Sequence, residues 1–337
     1  MQGRVSGGPP RRATAPHLIW IKARPVRCAS SRPSALSAGT RAASRPGRTL
    51  MSYKSIVALT FGHAGDASTL RFAAALAVLN KARVVVFPFM PDPMVDLVSY
   101  GMLLGTTLPD ETTSAILASQ KAARATLEME CRRICNAADL VFGDGEGLPR
   151  MALATPTGRA EIALSHCLAL ADLVVISQES LTTSLIAEET FAQTLLQRRV
   201  PILIARGDPS RLEGPVMIAW DGSAEAGRAV RQALPLIAMS SATTAVQCAK
   251  GLDPVAANPS FDPLLDYLSA HAAGSASTET VRGGPEGLAL VEAAKRLKAG
   301  VLIAGGYGHS RLREAVFGGA TRTLLDDVEG PSLLMAH

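Results

Sequence analysis

Five glycines crowd one stretch near the C-terminus, VLIAGGYGHSRLREAVFGGATRTLL, at Gly305, Gly306, Gly308, Gly318 and Gly319. A glycine carries no Cβ, so its backbone can approach a ligand closely, and successive free N–H groups can cradle phosphate oxygens. Arg311, Arg313 and Arg322 bring positive charge to the same stretch. A helix starting near Thr321 would add N-terminal amides and the positive end of its dipole. This is chemistry for holding an anion rather than for breaking a bond. Glycines so placed can also simply end a strand, as at Gly305 and Gly306, or turn the chain before a last helix, as at Gly318 and Gly319.

Other reactive residue types lack partners at useful spacing. His17, His63, His166, His271, His309 and His337 fall in no metal-binding pattern, and His309 could face either a phosphate or solvent. Without a GxSxG elbow, Ser223 and Ser310 are poor nucleophiles. GxxxxGK[ST] is absent, and GxGxxG fails because Arg311 stands where its third glycine would be. Cys28, Cys131, Cys135, Cys167 and Cys248 are scattered without zinc spacing, which fits reduced thiols. No catalytic residue and no metal ligand is assigned. The expectation is a binding protein, not an enzyme.

The elements that would position the glycine stretch come in two similar series. Short apolar or β-branched runs at 55–59, 83–87, 140–142, 173–177 and 201–205 alternate with Ala-rich segments of helical period, such as 66–79 and 114–136. The order then recurs, with strands at 215–220, 243–248, 278–282, 301–304 and 332–336 and helices at 223–238, 263–273 and 287–297. Strands that are apolar throughout belong to a parallel sheet covered on both faces. The expected fold class is α/β. Two tandem, doubly wound, Rossmann-like domains at 51–208 and 213–337 would form a pseudo-dimer, joined by the Gly- and Pro-containing segment 207–214. Ligands of such sheets bind at the carboxyl ends of the strands, where the glycine stretch would follow the fourth strand of the second unit.

Composition excludes several classes. With 47% apolar and 19% charged residues, the 337-residue chain can build cores and is not disordered overall. No run of 18 apolar residues occurs, so no membrane-spanning helix is expected. The net charge of +5 is misleading. Residues 1–50 hold nine Arg and one Lys with no acid, and setting those ten aside leaves 24 basic against 29 acidic residues, a net charge of about −5. The basicity belongs to the tail, and nucleic-acid binding is not expected. That tail has no hydrophobic period and should be disordered. It reads either as an organellar transit peptide, giving a matrix location, or as sequence upstream of a true start at Met51, giving a cytoplasmic one.

The spacing Gly305-x2-Gly308-x9-Gly318 matches the G-x2-G-x9-G-[S/T] pattern of the universal stress protein family. VMIAWDGSAEAGRAVRQAL also resembles that family's opening strand, turn and first helix. The likeness covers 215–337 well and 51–206 more loosely, so the chain resembles a tandem universal stress protein with adenine-nucleotide alpha-hydrolase-like domains. The resemblance implies a regulatory or stress-response role and a site for ATP, with Mg2+ as its companion ion, or for another adenine nucleotide. By position, Asp221 would contact the adenosine portion, Gly305, Gly308 and Gly318 would surround the phosphates, and Thr321 follows the motif. Gly319 occupies the Ser/Thr position, so only its N–H could serve there.

The first unit departs further. Its opening strand runs into Thr60, Phe61 and Gly62, and the stretch SQESLTTSLIAEETFAQTLL after its fourth strand holds no glycine. Read as a loop, it would crowd a phosphate, and Glu179, Glu188 and Glu189 would repel one. This unit is expected to bind no nucleotide and to act as a built-in partner. Family members often pair through their last strands, here 201–205 and 332–336, and a homodimer is also compatible. A nucleotide-free interaction module and a slow ATPase are the competing readings.

Overall fold

A computed structural model describes residues 52–89, 110–156, 159–249, 260–271, 273–306 and 319–337. The apolar runs become strands and the Ala-rich stretches between them become helices. The first half holds β1 (Ser55–Thr60), α1 (Asp66–Asn80), β2 (Arg83–Pro88), α2 (Asp110–Ala138), β3 (Val141–Phe142) and β4 (Arg150–Leu153). It continues with α3 (Ala160–Leu168), β5 (Leu173–Ser177), α4 (Gln178–Thr183), α5 (Leu185–Leu196) and β6 (Ile202–Ala205). A 3-10 turn at Pro209–Glu213 leads to β7 (Val216–Ala219), α6 (Ala224–Met239), β8 (Thr243–Cys248), α7 (Asp262–Ala270) and β9 (Ala276–Val281). The chain closes with α8 (Glu286–Arg296), β10 (Val301–Gly305), α9 (Gly319–Asp326) and β11 (Ser332–Ala336).

These strands form one sheet in the order β3-β4-β2-β1-β5-β6-β11-β10-β7-β8-β9. Neighbours run parallel except at the middle, where β6 and β11 pair antiparallel, with Leu333 opposite Ile204 and Met335 opposite Ile202. The strand order is mirrored about that pair. Chain direction across the sheet reverses between β1 and β5 and again between β7 and β10, and such switch points open crevices at the strands' carboxyl ends.

Successive strand residues face opposite sides, so each strand feeds two cores. Ile56 and Ala58 of β1 join α1, α2, α6 and α7 in one layer. Val57 and Leu59 join α3, α5, α8 and α9 in the other. Because both faces are covered, β5, β6 and β11 are buried along their whole length. The connection between the halves is not slack: Asp208 caps the 3-10 turn by accepting from Ser210 N–H, and Leu212 is fully buried. Among the described residues, no helix is long and apolar enough to cross a membrane.

At the central seam Arg206, directly after β6, is buried and holds both halves. Its Nε and Nη2 donate to Gln178 Oε1 at 2.9 and 2.7 Å. Nη2 also donates to the Leu324 carbonyl at 2.7 Å, and Nη1 to the Pro331 carbonyl at 3.2 Å. Burial pushes the guanidinium down to about 10, with the charge of Asp327 opposing, so it stays a cation at neutral pH.

Two local expectations need correction. The strand pairing with β2 is β4 at Arg150–Leu153, whereas 141–142 forms only a two-residue strand beyond it, with Val141 half exposed. The apolar Leu-Val-Phe run after a helix looked like a core strand, but the sheet places it at the edge. The stretch 178–196 is not a loop. Ser177 Oγ accepts from Ser180 N–H to start α4, and Ser184 Oγ accepts from Ala187 N–H to start α5, which buries Ala187, Phe191 and Leu195 at four-residue spacing. Serine caps and helical period outweigh the acids in that stretch.

Candidate functional site at the second switch point

β7 ends at Ala219, and the next four residues turn the chain into α6. Gly222 adopts φ +75°, a conformation that favours glycine. Asp221 Oδ1 accepts from Ser223 N–H at 2.9 Å, and Ser223 Oγ accepts from Ala226 N–H at 3.1 Å. The capped first turn of α6 then packs directly on the end of β10. A Cβ on Gly305 would lie 2.6 Å from Ala226 N and 2.7 Å from the Glu225 carbonyl carbon. Gly305 therefore lets helix backbone and strand backbone meet.

Asp221, Gly305 and Thr321 line one cavity of about 150 Å³, together with Trp220, Val246 and Leu290. Thr321 reaches it from the first turn of α9, two residues after Gly319, and is itself buried. Among the described residues, a Cβ on Gly319 would meet nothing within 4 Å. Gly308 and Gly318 lie outside the described residues, as do Arg311 and Arg313.

The apolar wall is made by Val246 of β8, Leu290 of α8 and the Trp220 ring, which donates from Nε1 to the Ser260 carbonyl at 3.3 Å. Sequence reasoning passed over these three. The signal for Trp220 was its place at the end of β7, immediately before Asp221. Three carboxylates, Asp221, Glu225 and Glu286, also border the cavity, and among its described lining residues there is no Lys or Arg. Such a lining can accept hydrogen bonds from hydroxyl and amino groups and pack an apolar ring. To an anion, the described lining offers backbone amides and the helix dipole instead. Among the described residues, no cluster of three His, Cys, Asp or Glu could hold a metal ion.

The corresponding place in the first half is occupied by the protein itself. The carboxylate of Asp66 accepts from the backbone N–H groups of Phe61, Gly62 and His63, closing the turn after β1. Burial pushes the Asp66 carboxyl above its ordinary value, while those three donors pull it down. Helix α4 starts at the residue after β5, and a Cβ on Gly65 would lie 2.6 Å from Ser177 Oγ and 3.1 Å from Ser180 N. Glu179 is exposed, and the close packing of the start of α1 on the start of α4 shapes this end of the sheet.

A sequence model of the Universal stress protein family matches residues 214–335. Among solved structures, a universal stress protein from Archaeoglobus fulgidus DSM 4304 is similar over 85% of this chain and 96% of its own, with a TM-score of 0.59 and 10% identity. Shorter matches cover 37% of this chain. They include a universal stress protein from Lactobacillus plantarum (16% identity, 98% of its own length, TM-score 0.30) and a universal stress protein in complex with cAMP (25% identity, 97% of its own length, TM-score 0.30). No curated protein matches in sequence.

Proposed function

We propose, from the match of residues 214–335 to the universal stress protein family, a stress-response regulatory protein of two tandem units, 51–208 and 213–337, in which only the second holds an adenine nucleotide. One observation carries this reading: Asp221, Gly305 and Thr321, distant in sequence, border the same cavity at the switch point between β7 and β10. In this reading the adenosine end lies against Trp220, Val246 and Leu290, with Asp221 and Glu286 accepting from its hydroxyl or amino groups. The phosphates extend toward the glycine-rich segment that follows Gly306, and Mg2+ accompanies them when the nucleotide is ATP. The first unit acts as a permanent structural partner, and the protein works in the cytoplasm.

A second reading, a nucleotide-free interaction module, is favoured by the three carboxylates at the cavity and by glycine at position 319. A thermal melt separates the two. Saturating ATP with Mg2+, at about 100 times the dissociation constant, should stabilise a one-site protein by roughly 2.7 kcal/mol. Asp221→Ala should remove the shift and Thr60→Ala should preserve it. No shift in the unaltered protein decides for the module.

A further inference from the structure

A second cavity, of about 640 Å³, lies at the opposite, amino-terminal ends of the first half's strands, where α6 of the second half crosses them. It has no part in the crevice around Asp221. Its volume falls within the roughly 300–1,000 Å³ usual for small-molecule sites. Tyr53 fixes one side: its hydroxyl donates to the Gln232 carbonyl at 2.7 Å and pins α6 in place. The buried side chains of Leu168 and Val200, with Pro235 of α6, give the cavity an apolar floor.

Its rim is cationic. Arg198 and Arg199 come from the turn between α5 and β6, and Arg231 comes from α6; all three are exposed. Val200 N–H bonds back to the Thr194 carbonyl, which turns Val200 inward and leaves the two preceding arginines at the mouth. Among the described residues, none of these three guanidinium groups has an ion-pair or hydrogen-bond partner. The acid on the rim, Asp172, is already engaged: its Oδ2 accepts from the N–H groups of Lys54 and Ser55 at 2.7 and 2.9 Å. The charge stands out in a chain whose residues beyond the tail are net acidic. Guanidinium groups on one cavity rim repel one another, and their forked donors match the two oxygens of an oxyanion.

We propose that this cavity binds a small organic acid, with an oxyanion head held by Arg198, Arg199 and Arg231 and an apolar body lying over Leu168, Val200 and Pro235. Both halves supply residues, so an occupied cavity ties α6 to the first half. The site does not depend on the adenine-nucleotide reading.

Isothermal titration of the full chain with decanoate, decanol and inorganic phosphate tests it. The expected result is one decanoate per chain, with decanol failing for lack of charge and phosphate binding at least tenfold more weakly for lack of a body. Arg231→Gln and Arg198→Gln, both exposed positions, should each weaken decanoate about tenfold, as expected for one charge-assisted hydrogen bond lost. Asp221→Ala should leave it unchanged. Decanoate binding that is absent, that survives both arginine changes, or that is matched by phosphate overturns the proposal. A melting temperature within error of the parent for each variant shows that lost binding is not lost folding.

Discussion

In the first half β5 ends in Ser177 and a helix begins at the next residue; in the second half β10 ends in Gly305, and the described chain resumes only at Gly319, with α9. Both halves bring the first turn of their first helix against the end of that strand, and they make room for it from opposite sides. The first puts glycine on the helix, as the N-cap Gly65, and serine on the strand, as Ser177. The second puts serine on the helix, as the N-cap Ser223, and glycine on the strand, as Gly305. The consequence reaches the ligand-binding end of the sheet. Ser177 caps a helix that fills the first crevice, and Asp66 satisfies three amides that would otherwise face outward. In the second crevice Asp221 accepts one local hydrogen bond and stays exposed. Among the described residues, polar groups satisfied from within, more than charge, distinguish the first crevice from the second.

The largest expected effect comes from cutting the seam that lets the halves differ. Arg206→Met removes the cation from Gln178 and leaves buried carbonyls at Leu324 and Pro331 without their donor. Breaking a buried charged network by deleting one member costs about 3–5 kcal/mol, read as a drop in the urea unfolding midpoint. A change below about 1 kcal/mol would show that β6–β11 pairing alone holds the sheet together.

Next come the mirrored glycines. Gly305→Ala forces a methyl against the Ala226 amide, and Gly65→Ala forces one against Ser177 Oγ. Overpacking of this kind costs about 1–3 kcal/mol, so both variants should melt lower by similar amounts. Only Gly305→Ala should also abolish an ATP-induced shift in melting temperature. Equal loss of that shift in both variants would erase the distinction between the crevices.

A smaller effect separates Asp66 from Asp221 by pH. Burial raises the Asp66 carboxyl in the folded state, so its contribution is full below the unfolded value of about 3.9 and declines as pH rises through the higher folded value. Asp66→Asn keeps an acceptor oxygen and removes the titration. The stability gap between the parent and this variant should therefore narrow as pH is raised from about 4 toward neutrality. A gap constant across that range would contradict a carboxyl raised by burial.

Local signals made much of this legible. The apolar run 215–220 followed by Asp-Gly-Ser contains a strand, a left-handed glycine and a helix cap, and all three fold as their residue types dictate. The recurring strand–helix series announced the α/β class, whereas the strand order came only from the sheet itself. The failures share one cause: a local cue outweighed by a longer-range one. Acids and missing glycines made 178–196 look like a loop, although Ala187, Phe191 and Leu195 stand at helical spacing behind a serine cap. Arg150–Leu153 is four residues with a charged start, and only its register on β2 identifies it. Arg206 was invisible as a seam residue because its Leu324 and Pro331 partners lie 118 and 125 positions away. The cavity that collects Trp220, Val246 and Leu290 draws on the end of β7, on β8 and on α8, a convergence no short window contains.

Gly319→Ser sharpens the comparison with the least disturbance. Position 319 begins α9, is not in the left-handed region, and has no atom of a described residue within 4 Å of where a Cβ would stand, so a serine fits among its described neighbours. Replacing glycine in the first turn should leave stability within about 0.5 kcal/mol of the parent. The gain should appear in binding instead. A hydroxyl at the head of α9, two residues before Thr321, supplies a donor that the parent lacks, worth about 0.5–1.5 kcal/mol for one added hydrogen bond. That corresponds to an ATP dissociation constant lower by about twofold to tenfold, measured by titration against the parent. Adenosine should bind both proteins alike, because it lacks the phosphate that the hydroxyl would reach. Tighter adenosine binding would place the new hydroxyl at the nucleoside end. No change with ATP would mean that the phosphates do not run past α9, and that the second crevice, like the first, has closed to them.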